Sequence, residues 1–214
     1  MFKLIIILTI LSVQSCSSAE NDSSIYSVGK EYYYKVMKTD SLNNILYSDT
    51  LVMRIETSGF LGLFNQKKAY WYSMNSENKN EHWRGFTDNI ESLEIQVPIH
   101  INALAELTIA PYPKTMIPPS ENATILLTHR FVKGYGEQTG KTIKQEITIG
   151  QKETCSVLGR KKECWRINGK NTSFIEEEGL YKISALFEST AGFVEWQYTY
   201  PNATTVIFKL IEIK

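Results

Sequence analysis

The chain has 214 residues, with 23 basic against 23 acidic side chains and a hydrophobic share of 43%. The cancelled charge removes any electrostatic case for nucleic acid as a partner, and the apolar share suffices for one large β domain or two small ones. With 12 Tyr, 9 Phe and 4 Trp, the composition leans toward pleated sheet.

Lys3 supplies a positive start, and residues 4–11 form an apolar run interrupted only by Thr9. That run falls far short of the roughly 20 residues a membrane-spanning helix needs, but it suits the core of a signal peptide. Val13-Gln14-Ser15-Cys16 then places a small residue directly before a cysteine. The arrangement resembles the lipobox of bacterial lipoproteins, in the relaxed form common in Bacteroidota. The resemblance covers the leader alone. It implies that residues 1–15 are a signal peptide, that Cys16 is acylated, and that the protein is held in the cell envelope. The expected membrane is the outer one, on its periplasmic or surface face. Each buried CH₂ contributes about 0.8 kcal/mol, so two or three acyl chains anchor durably. The alternative is a conventional secretory leader cut after Ala19, with Cys16 discarded.

Only Cys16, Cys155 and Cys164 occur. If Cys16 carries lipid, the other two are left to pair in an oxidising compartment. Residues 16–28 are polar for the most part and read as a flexible tether, leaving residues 29–214 as one antiparallel β domain.

From Gly29 onward short alternating segments are separated by turn residues. Residues 30–38 (KEYYYKVMK) put Tyr32, Tyr34 and Val36 on one face, and residues 46–57 do the same with Leu51, Met53 and Ile55, predicting an opening hairpin. Residues 67–74 and 81–86 flank a polar turn and predict a second. Residues 93–97 alternate as a strand, whereas residues 100–110 (HINALAELTIA) fit a short helix or a strand equally. Pro111, Pro113, Pro118 and Pro119 then break regular structure, since proline lacks the donor that ladders and helices need. Further strands are expected over residues 124–135, 142–157, 163–168, 172–177, 180–187, 193–200 and 205–213. Tyr181, Ile183, Ala185 and Phe187 share one face, and Val194, Trp196, Tyr198 and Tyr200 share another.

If Cys155 and Cys164 face each other, Gly159-Arg160 forms the two-residue loop of their hairpin, with glycine first as a type II′ turn prefers. They would then be directly opposed at a non-hydrogen-bonded position, at the short edge of disulfide geometry. Leu158, Trp165 and Ile167 fall on the opposite face and are expected in the core. The bridge is expected to be a structural staple, because a Cys-x-x-Cys spacing is absent.

Chemistry is sparse. Residues 136–142 (GEQTGKT) miss the phosphate-loop spacing and precede a strand rather than a helix. His82, His100 and His129 stand apart from one another and from cysteine, so no metal site is expected. No Gly-x-Ser-x-Gly elbow occurs. Glu176, Glu177 and Glu178 cannot share one strand face. Neither a cofactor nor enzymatic activity is expected. Tyr32, Tyr34, Trp71 and Trp196 are candidates for lining an apolar cavity or stacking on sugar rings, against the alternative that they are ordinary core. Asp40-Ser41-Leu42 and Asp49-Thr50-Leu51 resemble the sites that Bacteroidota O-glycosylate, with Ser41 and Thr50 as acceptors.

The expected architecture is all-β and mainly antiparallel, a single curved meander sheet forming a half-barrel or barrel; the alternative is a two-sheet sandwich. Anchor, strand count and meander together make the chain loosely similar to envelope lipoproteins with a LolA-like or lipocalin-like curved sheet. That resemblance implies a non-enzymatic lipoprotein carrying a lipid or other apolar ligand. A glycan-binding or adhesion module on the cell surface is the alternative.

Overall fold

In the computed structural model, residues 24–58, 66–75, 82–130, 142–171 and 180–214 are described. β1 (Glu31–Thr39) and β2 (Ile45–Ser58) form the opening antiparallel hairpin. Its register sets Tyr32 against Met53 and Tyr34 against Leu51, so the alternating apolar residues of both strands are buried on one face. The Asp40 carboxylate closes the turn by accepting from the backbone N–H groups of Leu42 and Asn44. β3 (Gln66–Ser73) pairs with β2, and β4 (His82–Arg84) with β3.

The chain then leaves this sheet and builds a second, small one from β5 (Phe86–Asp88), β6 (Ser92–Ile95) and β7 (Lys114–Met116). A 3₁₀ helix, Asn102–Ile109, lies between β6 and β7, which decides the helix-or-strand question over residues 100–110. Six strands follow: β8 (Thr124–Arg130), β9 (Thr142–Val157), β10 (Arg160–Asn171), β11 (Lys182–Glu188), β12 (Gly192–Thr199) and β13 (Thr205–Ile213). The main sheet runs β4-β3-β2-β1-β13-β12-β11-β10-β9-β8, with every neighbouring pair antiparallel. The fold is therefore all-β, with one large curved sheet whose edges β4 and β8 do not pair with each other.

Residues between those edges fill the hollow of the curve. Leu93 and Ile95 from the small sheet, Val97 just after it, Leu104 and Leu107 from the 3₁₀ helix and its C-cap Ala110 join one cluster with Tyr34, Trp71, Trp196 and Phe208. In a 3₁₀ helix residues i and i+3 eclipse, so Leu104, Leu107 and Ala110 form a single inward line. The proline-rich stretch, expected to be irregular, holds β7 as well.

Packing extends N-terminal to Gly29: the Asp88 carboxylate accepts from Ser24 Oγ and from the N–H groups of Ile25 and Tyr26. Tyr26 is fully buried against Tyr32 and Phe86, and its hydroxyl accepts from Phe193 N–H at 2.8 Å. The β9–β10 turn is Leu158-Gly159 rather than Gly159-Arg160, because Val157 pairs with Arg160 and Cys155 with Lys162. Cys155 and Cys164 thus sit diagonally rather than face to face, and they still form a disulfide, with Cα atoms 5.9 Å apart. Leu158, expected in the core, occupies the turn and is 43% exposed. Ile167 is core, while Trp165 is only partly buried, with the Lys152 ammonium 5.4 Å from its ring centre. The turn shifts because both loop residues take positive φ, +48° at Leu158 and +79° at Gly159, the pattern of a type I′ turn.

Candidate functional site: a polar groove across four strands

Strand alternation divides β9 to β12 into two faces. Ile147, Ile167, Ile183 and Tyr198 point into the core. The residues beside them point the other way, and the ladders align them. Thr148 opposes Asn168, Asn168 opposes Ser184, and Ser184 opposes Gln197. One step along, Glu146 opposes Lys170, Lys170 opposes Lys182, and Lys182 opposes Thr199. These two rows line a groove of about 470 Å³ on the outer face of the sheet.

The groups in the groove are hydroxyls, amides, two ammoniums and one carboxylate. Lys170 Nζ lies 3.4 Å from Glu146 Oε1. At the rim, the Arg166 guanidinium is held by the Glu153 carboxylate and donates to Ser184 Oγ at 3.2 Å. Among the described residues, the side chains of Thr148, Asn168, Lys182, Gln197 and Thr199 make no hydrogen bond or ion pair. Their hydrogen-bonding capacity is left to solvent or to a ligand. Among the described residues no aromatic ring lines the groove.

The four candidate aromatics lie elsewhere. Tyr32, Tyr34, Trp71 and Trp196 are all buried on the inner face. Tyr34 sits 4.9 Å from Trp196 and 5.7 Å from Trp71 between ring centres, and Trp196 stacks on Phe208 at 4.8 Å. Tyr34, Trp71 and Trp196 have no surface open to a water-sized void, so these rings fill the interior rather than frame a cavity or a stacking platform. The Tyr34 hydroxyl donates to the Phe193 carbonyl at 3.1 Å, and burial raises its pKa.

The fold also joins two histidines that stand apart in sequence. The rings of His82 and His100 lie 4.0 Å apart, centre to centre. Burial, then the neighbouring His82 and Arg84, lowers the His100 pKa to about 4. No group of three metal-ligating side chains occurs among the described residues. On the outer face of β1 and β3, the Tyr33 and Tyr72 hydroxyls both donate to the Glu31 carboxylate, at 2.7 and 3.0 Å. The Tyr33 bond leads in lowering the Glu31 pKa.

Ser41 lies in the exposed β1–β2 turn. Thr50 is half-buried inside β2 opposite Lys35, after an Asp49 carboxylate that accepts from Tyr47 and Ser73. An acceptor in an exposed turn is open to a transferase, whereas one within a ladder is reached only before the strands pair. Cys16 and the leader, the residue 136–141 loop, the expected strand at residues 172–177, Glu176 to Glu178 and the His129 side chain lie outside the described residues.

No residue of the groove was singled out from the sequence. Alternation alone marks Asn168 and Lys170, or Lys182 and Ser184, as outward-facing. Only the register shows that four strands bring them into adjoining rows.

No family model matches the chain, and no curated protein does. Several solved structures are similar to it. An exported protein described as having a YmcC-like fold, from Bacteroides fragilis, is 9% identical, with 88% of this chain and 96% of that one covered and a TM-score of 0.46. A protein described as a lipoprotein, from Parabacteroides distasonis, is 10% identical over 89% and 98%, also at 0.46. The hypothetical lipoprotein YmcC from Escherichia coli is 11% identical over 91% and 89%, at 0.42.

Proposed function

We propose that the protein is a lipid-anchored envelope lipoprotein, without catalytic activity, whose β domain binds a carbohydrate chain in the groove over β9–β12. The observation that carries this is the contrast between the two faces of the sheet. The inner face is filled by the chain's own apolar side chains, whereas the outer face keeps hydroxyl and amide groups with no protein partner in a long groove. A carrier of an apolar guest needs an empty interior, and among the described residues the interior is packed. A carbohydrate, with a hydroxyl on nearly every carbon, meets such a surface with many hydrogen bonds, each of modest net worth. With no ring in the groove, recognition rests on those bonds rather than on stacking.

The anchor is supported by the Ser15-Cys16 step after an apolar run. Residues 17–23 then span at most about 29 Å between the acylated cysteine and the packed Ser24. The domain is thereby tied close to the bilayer, in the outer membrane on its periplasmic or surface face.

Two measurements test the proposal. Mass spectrometry of the mature N-terminus should find acylated Cys16; an unmodified terminus beyond Cys16 sinks the anchor. An oligosaccharide array probed with the mature protein should give signals that Asn168→Ala and Gln197→Ala each weaken at least fivefold. Signals that survive both changes place carbohydrate binding outside the groove.

A further inference from the structure

We propose that the groove takes an acidic carbohydrate, with a sugar carboxylate seated between Lys170 and Lys182. This rests on the carbohydrate reading above and adds the charge of the ligand and the place where that charge is held.

Lys170 and Lys182 are directly opposed in the β10–β11 ladder and face the same side. Like charges so placed destabilise a sheet. One carboxylate in the groove offsets them: Glu146, across from Lys170 at 3.4 Å. On the other flank of Lys182 stands Thr199, which carries no charge. Among the described residues the groove thus holds two cations and one anion, and its excess charge lies over β11. A monoanion restores neutrality there. A dianionic phosphate would overshoot it.

Neighbouring strands are about 4.8 Å apart, so a carboxylate above the ladder can accept from both ammoniums, as charge-assisted hydrogen bonds favour. The remaining hydroxyls of that sugar reach Thr199 on the same row. The next sugar meets the Thr148, Asn168, Ser184 and Gln197 row, about 7 Å along the strands. One row supplies charge and the other supplies hydrogen bonds. Together they suit a chain in which acidic sugars recur, a uronic-acid-containing oligosaccharide.

The experiment is calorimetric titration of the full acylated protein in detergent. The probes are an oligosaccharide of uronic acids, its carboxyl-reduced neutral counterpart and inorganic phosphate, each at low and high salt. The acidic oligomer should bind at least tenfold tighter than the neutral one, with the advantage shrinking as salt rises. Lys182→Gln should erase the preference, so that the acidic and neutral oligomers bind this variant equally, while Lys182→Arg should keep it. Lys182→Gln should also unfold at a slightly higher temperature, because the opposed charges are relieved; that readout shows the variant is folded. Equal affinity for acidic and neutral oligomers overturns the carboxylate seat and leaves the carbohydrate groove standing. Binding of neither oligomer overturns both. Phosphate binding tighter than the uronic oligomer overturns the carboxylate assignment.

Discussion

Leu158 holds a backbone conformation that its own side chain resists. Its φ of +48° precedes a glycine at +79°, and a two-residue turn of this kind prefers Asn-Gly. A Cβ in the left-handed region costs about 1–2 kcal/mol. Because the side chain is largely exposed, Leu158→Asn forfeits little packing. It should stabilise the protein by about 1 kcal/mol, read as a higher urea midpoint; a midpoint at or below the parent's refutes this. His100 makes a second residue-scale prediction. The folded ring takes its proton near pH 4, whereas an unfolded histidine does so near 6.5. As pH falls, the unfolded state therefore gains protons first, so stability is full above about pH 6.5 and declines toward pH 4. The ring is only partly buried and is screened by solvent, which limits the loss to the order of 1 kcal/mol. Melting temperature against pH should show this slope, and His100→Gln should flatten it.

Among the elements, the β9–β10 hairpin shows what a single sequence reveals and what it hides. Its strands were legible because Ile143, Ile147 and Ile149 alternate with polar residues. Its register is not legible, because a diagonal cysteine pair satisfies a disulfide as well as a facing pair does. One register step then moved Leu158 from core to turn. The 3₁₀ helix was illegible for a related reason. Ile101, Leu104, Leu107 and Ala110 recur every three residues, a period that fits neither a strand nor an α-helix. The opening hairpin and β13 are legible because their apolar residues alternate toward the inner core, even though Tyr33, Val52 and Tyr72 form a second buried cluster on the outer face. The groove could not be read at all, since it exists only in how four strands align. For the hairpin itself, the disulfide closes a loop of about ten residues, worth roughly 2.7 kcal/mol by constraining the unfolded chain. The double variant Cys155→Ala/Cys164→Ala should lose about that much in urea unfolding, and reductant should lower the parent to match. A parent indifferent to reductant would show that the bridge contributes nothing.

At the scale of the whole molecule, the contact between Tyr26 and Gly192 pins the start of the described chain to its far half. A Cβ on Gly192 would run into the Tyr26 phenol, and the glycine's φ of +78° disfavours any side chain. Gly192→Ala should therefore destabilise by more than about 2 kcal/mol. Adding Tyr26→Ala should recover the clash but not the backbone cost, so the pair should be non-additive in unfolding experiments. Strict additivity would show that the two residues do not meet. The sheet order carries a different consequence. β1, among the earliest strands made, completes its pairing only with β13, among the last. Until β13 arrives, one long edge of β1 stands open, and the two halves of the sheet have no ladder between them. Closing so distant a pair is slow, and an open edge invites pairing with a stranger. This topology leaves β1 open throughout synthesis, so the chain is most exposed to mispairing before the final ladder forms.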